Sequence, residues 1–128
     1  MKKDAIATKD APAAIGPYSQ AVRAGELVFL SGQIPLDPAT GQLVEGDITA
    51  QTKRVMENLR AVLAAAGCGF ADVVRTTIYL VDLGHFGKVN DAYGACFEPP
   101  FPARATVQVS ALPKGAQVEI DMVAVRPA

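Results

Sequence analysis

The chain has 128 residues, of which half are hydrophobic and a fifth are charged, and its formal net charge at pH 7 is −1. This length suits one compact domain, predicted to span residues 1–128, and the composition excludes a disordered chain. The basic residues form no stripe, which disfavours nucleic acid as a partner, and no apolar run approaches the roughly 20 residues of a membrane span.

Three strand candidates occupy the first third of the chain. They are the segments "AIAT", "YSQAVRAG" and the stronger "ELVFLSGQI", separated by Pro and Gly residues and followed by a turn-rich connection. From Ile48 to Ala66, apolar residues recur at spacings of three and four, which predicts an amphipathic helix. Asp47 is placed to cap its N-terminus, and Gly67 is placed to end it in the left-handed conformation.

Strands and a helix alternate in the second half. The β-branched segment "VVRTTIYLV" predicts a buried strand, and the range from Phe86 to Phe97 predicts a helix that ends before Pro99. The segment "QVEIDMVAV" predicts a last strand in which Glu119 and Asp121 alternate with apolar residues. The order β-β-β-α-β-α-β-β predicts an α+β fold with a mixed six-stranded sheet and both helices on one face.

The segment "RATVQVSA" predicts the strand before the last one. Its polar face is expected to hold Arg104, Thr106, Gln108 and Ser110, and its other face, suited to a helix-covered core, Ala105, Val107, Val109 and Ala111. The sheet face away from the helices carries large apolar residues such as Phe29, Ile34 and Tyr79, which a solvated face would not need. We therefore expect a symmetric oligomer in which another copy covers this face.

Two charged residues are the main candidates for chemistry. Arg104 follows a Pro-containing loop and is either a surface or ion-paired arginine or a bidentate donor to a ligand carboxylate, with Ala103 and Ala105 leaving room for the ligand. Glu119, between Val118 and Ile120, is either an exposed strand glutamate or a carboxylate that orients or deprotonates water.

Weaker signals come from three polar residues. Tyr18 follows Gly16 and Pro17 and is either packed in its loop or offers a phenol to a pocket. The segment "SGQIP", from Ser31, ends a strand with donors that could hold an anion. Asn90 is either a hydrogen-bonded core or cap residue or a ligand contact.

The sequence contains little that could bind a metal or a large cofactor. Cys68 and Cys96 do not form a CxxC spacing, and no apolar export segment follows the N-terminal lysines, so we expect free thiols in a cytoplasmic protein. His85 is the single histidine and is expected at the surface. No phosphate-binding loop, dinucleotide fingerprint or GxSxG motif is present, and we expect neither a metal nor an organic cofactor.

Several segments together resemble one family, reactive intermediate deaminase A (RidA, also called YjgF). They are "APAAIGPYSQAV", "FLSGQIPLDPATG", "VRTTIYLVDL", "VNDAYGACF", "PPFPARATVQVSALPKGAQVEID" and "MVAV", in the same order along nearly the whole chain. The resemblance implies a chorismate-mutase-like α+β unit that forms a homotrimer with ligand pockets between subunits. It also implies that the last strand lies between the third and fourth, although the short link "ALPKGA" would suggest a hairpin with the fifth.

The resemblance implies a 2-iminobutanoate/2-iminopropanoate deaminase, which hydrolyses enamines and imines such as 2-aminoacrylate and 2-iminopropionate to a 2-keto acid and ammonia without a cofactor. Arg104 matches the arginine that binds the substrate carboxylate, and Glu119 matches the carboxylate that positions water. Tyr18 matches a pocket residue whose phenol could protonate the released amine. The other matching positions, expected to bind substrate, are Ser31, Gly32, Phe86, Asn90 and Thr106.

Two departures from the family pattern and two other functions complete the interpretation. Many members have Cys at the position of Thr106, so binding through the backbone is expected but a thiol-dependent role is not; the loop "ACFEPPFPAR" is compact, which could reshape the pocket mouth. One alternative is a non-catalytic keto-acid or carboxylate-binding regulatory module, and the presence of both Arg104 and Glu119 favours catalysis over it. The other alternative, RNA cleavage, lacks a basic stripe and a histidine pair.

Overall fold

The computed structural model describes residues 2–126, so Met1, Pro127 and Ala128, at the ends of the predicted domain, lie outside the described residues. Within that range, six strands form one sheet and two α-helices pack on one of its faces. The strands are β1 Lys3–Ile6, β2 Ala21–Ala24, β3 Leu27–Gln33, β4 Val73–Leu80, β5 Ala103–Gln108 and β6 Val118–Val125, and the helices are α1 Ile48–Ala65 and α2 Phe86–Gly94. The predicted α+β class and element order are confirmed.

The sheet has the order β1-β2-β3-β6-β4-β5. Only β4 and β5 are parallel, joined through α2, and every other neighbouring pair is antiparallel. A parallel pair needs such a crossover, whereas antiparallel strands do not. In this order the last strand, β6, lies between β3 and β4, as the family resemblance implies, and not beside β5.

Helix α1 forms as its sequence predicts. The Asp47 carboxylate accepts a hydrogen bond of 3.0 Å from the backbone N–H of Ala50, and Gly67 has a φ of 77° just after the last turn. Its apolar stripe is buried against the sheet, and includes Val55, Met56, Leu59, Val62 and Leu63. Among residues 2–126, no helix has the length and apolar character needed to cross a bilayer.

Helix α2 ends at Gly94, three residues before Phe97, where its apolar spacing had predicted that it would continue. The backbone continues there as a tighter turn, in which each hydrogen bond spans three residues: the N–H of Cys96 donates to the carbonyl of Tyr93, and the N–H of Phe97 donates to the carbonyl of Gly94. The Phe97 ring nevertheless packs edge-on against Tyr93, with 4.8 Å between centroids, and against Phe70 at 5.3 Å. Phe97 therefore packs in the same core as the apolar residues of α2, although it lies beyond the end of the helix.

The alternation predicted for β6 is confirmed, but the faces of β5 are the reverse of the prediction. Glu119 and Asp121 lie on the face of the sheet without helices, and alternate with buried residues. In β5, Arg104 pairs with Thr76, which is buried under α2, so Arg104 lies on the helix side. Val107 pairs with Tyr79 on the other side and is 41% exposed. Because β5 is an edge strand, its polar side chains can reach solvent beside α2.

The uncovered face of the sheet is therefore more apolar than the sequence suggested. Phe29 is 45% exposed there, and Leu27 and Val107 are each 41% exposed. They lie on the same face as Tyr79 and Val123. Exposed apolar patches of this kind are typical of surfaces that bind another protein. Its covering by a second copy of the chain stays a prediction.

Candidate functional site

One group of the predicted site residues lies around Glu119. Tyr18, Ser31, Gly32 and Glu119 line a cavity of about 550 Å³, and we call these four residues the Glu119 half-site. The rest of the lining is largely apolar and includes Pro12, Ala13, Ile15, Ile34, Leu36 and Pro113. A mostly apolar cavity with a few polar groups is typical of small-molecule sites.

An irregularity in β3 shapes this half-site. The register between β3 and β6 shifts between Leu30 and Gln33, which places Ser31 and Gly32 in a bulge. The Ser31 hydroxyl donates to the carbonyl of Ser19 at 2.6 Å, and its N–H donates to the carbonyl of Gln20 at 3.0 Å. These two hydrogen bonds tie the loop that carries Tyr18 to the end of β3. The bulge also redirects the side chains at this end of the strand.

Gly32 makes room for the Glu119 carboxylate. A Cβ atom at Gly32 would lie 2.9 Å from Cδ of Glu119, which is closer than ordinary contact allows. The backbone of Gly32 does not have a positive φ, so conformational freedom is not the reason for glycine here. A larger residue at this position would push the flexible Glu119 side chain away from its present position.

The surroundings of Glu119 favour its protonated form. Burial, followed by the negative charge of Asp121, raises the pKa of Glu119 above its ordinary value. Asp121 itself accepts a hydrogen bond of 3.1 Å from the Tyr79 hydroxyl. Glu119 receives no side-chain or backbone hydrogen bond from residues 2–126, so both of its oxygens are available to water or a ligand.

The other predicted residues surround Arg104, at the edge of the sheet. Nη1 of Arg104 donates to Oδ1 of Asn90 at 2.7 Å. Its Cζ lies 5.5 Å from the ring centroid of Phe86 and 5.3 Å from that of Tyr93. We call Phe86, Asn90, Tyr93 and Arg104 the Arg104 half-site. The guanidinium keeps further N–H donors with which it could bind a carboxylate bidentately.

Thr106 lies two residues beyond Arg104 on the same side of β5. Its hydroxyl oxygen is buried and has no hydrogen-bond partner among residues 2–126. The backbone of Thr106, in contrast, belongs to the outermost strand of the sheet. This placement suits contact with a ligand through the backbone better than contact through the side chain.

The two half-sites are separate within one chain. Arg104 lies on the helix side of β5, whereas Glu119 lies on the uncovered side of β6, and β4 runs between these strands. A cavity of about 310 Å³ beside Arg104 is lined by Asn90, Tyr93 and Phe101, and it shares no residue with the cavity of Glu119. One copy of the chain therefore does not bring the arginine and the carboxylate together.

Three residues that border these cavities were not predicted from the sequence to belong to a site. Tyr93 lies within the range predicted to form the second helix, and its ring contacts Arg104. Ile15 is 82% exposed beside the cavity of Glu119, which Lys114 also lines. The spacing of Phe86, Asn90 and Tyr93 could have identified one helix face, but not that this face meets Arg104. Within residues 2–126, no three His, Cys, Asp or Glu side chains form a potential metal site.

Comparisons with known proteins cover both half-sites. A sequence model of the family described as Endoribonuclease L-PSP matches residues 8–126. Protein DfrA of Myxococcus xanthus is 63% identical over 127 residues, which are 98% of this chain and 97% of that protein. The 2-iminobutanoate/2-iminopropanoate deaminase of Mus musculus is 50% identical over 121 residues, or 94% of this chain and 90% of the mouse protein.

A solved structure has the same fold. The crystal structure of E. coli TdcF with bound serine is 40% identical in sequence and has a TM-score of 0.91. The match covers 96% of this chain and 98% of that one. The similarity therefore extends over nearly the whole of each chain and is not limited to a shared motif.

Proposed function

The chain belongs to the Endoribonuclease L-PSP family, also called RidA or YjgF, and from this membership we propose that it hydrolyses reactive 2-enamines and 2-imines to 2-keto acids and ammonia. The proposed substrates are 2-aminoacrylate, its tautomer 2-iminopropanoate, and 2-iminobutanoate. The observation that carries the proposal is the guanidinium of Arg104, which Asn90 orients while its other donors remain available for a small carboxylate.

We further propose that the catalytic site forms between subunits of a homotrimer. The Arg104 half-site of one subunit would face the Glu119 half-site of its neighbour. Two arguments support this arrangement: the half-sites lie on opposite sides of the sheet, and the uncovered face exposes Phe29, Leu27 and Val107. In a closed ring, one surface of each subunit contacts a different surface of the next subunit, and this contact repeats around the ring. Every interface would therefore hold one complete site.

The reaction needs orientation and a proton path. Arg104 would hold the substrate carboxylate, which places C2 of the imine opposite Glu119. Glu119 would accept a proton from water as the water oxygen bonds to C2, while the C=N π electrons move to nitrogen. Glu119 passes this proton to the nitrogen, which gives a carbinolamine with a hydroxyl and an amino group on C2. The hydroxyl then loses its proton to Glu119 as C=O forms, and the C–N bond breaks as the nitrogen takes this second proton, from Glu119 directly or through the Tyr18 phenol, and leaves as ammonia. An enamine must first gain a proton at C3. Because an imine is already electrophilic, positioning supplies much of the acceleration.

The relatives support a ligand derived from an amino acid. TdcF binds serine, in which the carboxylate and the nitrogen are attached to the same carbon, as they are in 2-aminoacrylate. Mammalian relatives at about half identity carry the deaminase name, whereas DfrA carries a name without an activity. The deaminase activity of this chain therefore has to be measured directly.

The first prediction concerns Arg104→Ala. A serine dehydratase generates 2-aminoacrylate, and pyruvate release is recorded with and without the protein. We expect the wild type to accelerate release and Arg104→Ala to lose about 100-fold of this acceleration, because the substrate is no longer oriented. Arg60→Ala is a matched control, since Arg60 also stacks on an aromatic ring, that of Phe70 at 4.9 Å, but lines neither cavity.

Two results would contradict the proposal. If the wild type leaves pyruvate release unchanged but binds a 2-keto acid, the protein is a carboxylate-binding module and not a deaminase. If Arg104→Ala and Arg60→Ala behave alike, Arg104 does not hold the substrate.

A further inference from the structure

We propose that Tyr93 is a positioning residue for Arg104: its buried ring supports the guanidinium on one side and holds it where Asn90 and a substrate carboxylate can both reach it. This inference rests on the proposed function, in which Arg104 binds the carboxylate.

The ring of Tyr93 is held firmly. The residue is 4% exposed, near the end of α2, and its hydroxyl lies 2.7 Å from Oγ1 of Thr76, which is completely buried in β4. The Phe97 ring packs against it with 4.8 Å between centroids. Burial raises the pKa of the Tyr93 hydroxyl, which therefore stays protonated and bonded to Thr76. A hydrogen bond at one end and packing on one side leave the ring little freedom to move.

Arg104, in contrast, is an exposed side chain on an edge strand. An arginine in that setting samples many rotamers and would lose their entropy on binding a ligand. Here the Tyr93 ring lies 5.3 Å from Cζ, the Phe86 ring lies 5.5 Å from it, and Asn90 accepts from Nη1 at 2.7 Å. These contacts order the guanidinium before the ligand arrives.

The three supports differ in how rigid they are. Phe86 is 41% exposed at the start of α2, and Asn90 is partly buried in its middle. Tyr93 alone joins the guanidinium to the core, through Thr76 in the strand beside β5. It also lines the cavity of about 310 Å³ next to Arg104, so its ring limits where the guanidinium can move. We therefore expect Tyr93 to govern carboxylate affinity more than the chemical step.

The test measures the Kd for pyruvate, an unreactive carboxylate, by calorimetry, together with kcat and KM for the imine. In Tyr93→Leu we expect Kd and KM to rise about fivefold while kcat changes less than about twofold, because the aromatic face is lost. Tyr93→Phe keeps the ring and loses only the bond to Thr76, and should raise both constants about twofold. If the leucine variant does not fold, an unchanged Kd in Tyr93→Phe overturns the proposal.

Val89→Ala is the matched control, because Val89 is buried in the same helix and does not line the cavity beside Arg104. It should lower the unfolding midpoint without changing Kd or KM. Equal rises in Val89→Ala and Tyr93→Leu would show a general loosening of α2 and overturn the inference. Loss of pyruvate binding in Arg104→Ala but not in the Tyr93 variants would overturn this inference alone. Unchanged binding in Arg104→Ala would overturn the proposed function and this inference together.

Discussion

Glu119 owes its chemical character to the residues beside it. A half-buried carboxylate without a hydrogen-bond donor is costly, since it loses hydration and gains nothing in return. Gly32 gives it space, and burial together with the charge of Asp121 raises its pKa. A carboxylate with a raised pKa is a stronger base once ionised, which suits a group that takes a proton from water. The cost in stability is thus tied to the proposed chemistry.

At the residue scale, we predict that Asp121→Asn shifts the acid limb of the pH profile of kcat/KM to lower pH. Removing the like charge lowers the pKa of Glu119, so Glu119 ionises, and can act as a base, in more acidic solution. The asparagine oxygen can still accept the hydrogen bond from Tyr79. Activity at pH 5 should rise relative to activity at pH 8, which should change less than about twofold.

The control for this prediction is Tyr79→Phe. This change removes the 3.1 Å hydrogen bond to Asp121 but keeps the charge of Asp121. Its acid limb should not move to lower pH. Identical profiles for Asp121→Asn and the wild type would mean that Asp121 does not influence the ionisation of Glu119.

Among the elements, α1 contributes to the Glu119 half-site from a distance. Asn58 is completely buried in this helix, and its Nδ2 donates to the carbonyls of Ile34 at 3.3 Å and Leu36 at 2.9 Å. Nε of Arg54 donates to Oδ1 of the same asparagine at 3.1 Å. Since Ile34 and Leu36 line the cavity around Glu119, α1 holds one wall of that cavity in place.

At the element scale, we predict that Asn58→Ala destabilises the protein by about 2 kcal/mol, because a buried amide is lost, the partly buried Leu36 carbonyl loses its donor, and the Ile34 carbonyl keeps only the N–H of Leu36. The loosened wall should also lower kcat/KM by about threefold. Urea unfolding and steady-state kinetics measure the two effects.

Asp47→Ala separates the two effects of that prediction. It removes the N-cap of the same helix and should cost about 1 kcal/mol, but it touches no residue of the cavity wall. Its kcat/KM should therefore equal that of the wild type. A normal kcat/KM in Asn58→Ala would show that the wall does not depend on this side chain.

At the largest scale, the described residues 2–126 present two separate half-sites and an uncovered apolar face of the sheet. Successive residues of a strand point to opposite faces of the sheet, and the pairing of β5 and β6 with β4 places Arg104 on one face and Glu119 on the other. No side-chain rotation can bring them together through β4. A second copy of the chain could cover the exposed face of Phe29 and also bring a guanidinium to each carboxylate. Assembly and activity are then one property in this proposal.

At the scale of the whole molecule, we predict complementation between two inactive variants. Arg104→Ala keeps Glu119, and Glu119→Gln keeps Arg104, so a mixed ring contains some interfaces with both intact groups. Random assortment of equal amounts should restore about a quarter of the wild-type activity. The measurement is the pyruvate assay after the two variants are unfolded and refolded together.

Each variant refolded alone is the control and should stay inactive. If the mixture also stays inactive while light scattering shows a trimer, the site does not combine residues of two subunits. A monomer at assay concentrations would contradict the proposed assembly itself.

The parts of the fold that follow local rules could be predicted from the sequence. The apolar spacing and the caps at Asp47 and Gly67 predicted α1, because helix periodicity and capping act within one element. Family motifs predicted the central place of β6, which its short connection to β5 would not have suggested. The assignment of residues 1–128 to a single domain stays a prediction.

Other features depended on contacts between distant segments. The end of α2 before Phe97 and the contact of Tyr93 with Arg104 involve packing that spacing alone does not specify. The reversed faces of β5 have the same origin, because an alternating pattern names two faces but not which of them meets a helix.

The sequence by itself determined the element order, the first helix and the choice of Arg104 and Glu119 as candidate site residues, since propensity, periodicity and motifs are written along the chain. Only the tertiary structure decided on which side of the sheet each charge lies. That choice depends on the pairing of β5 with β4 at the sheet edge and of β6 with both of its neighbours. These pairings join segments far apart in sequence, and they are the physical reason why Arg104 and Glu119 do not meet within one chain.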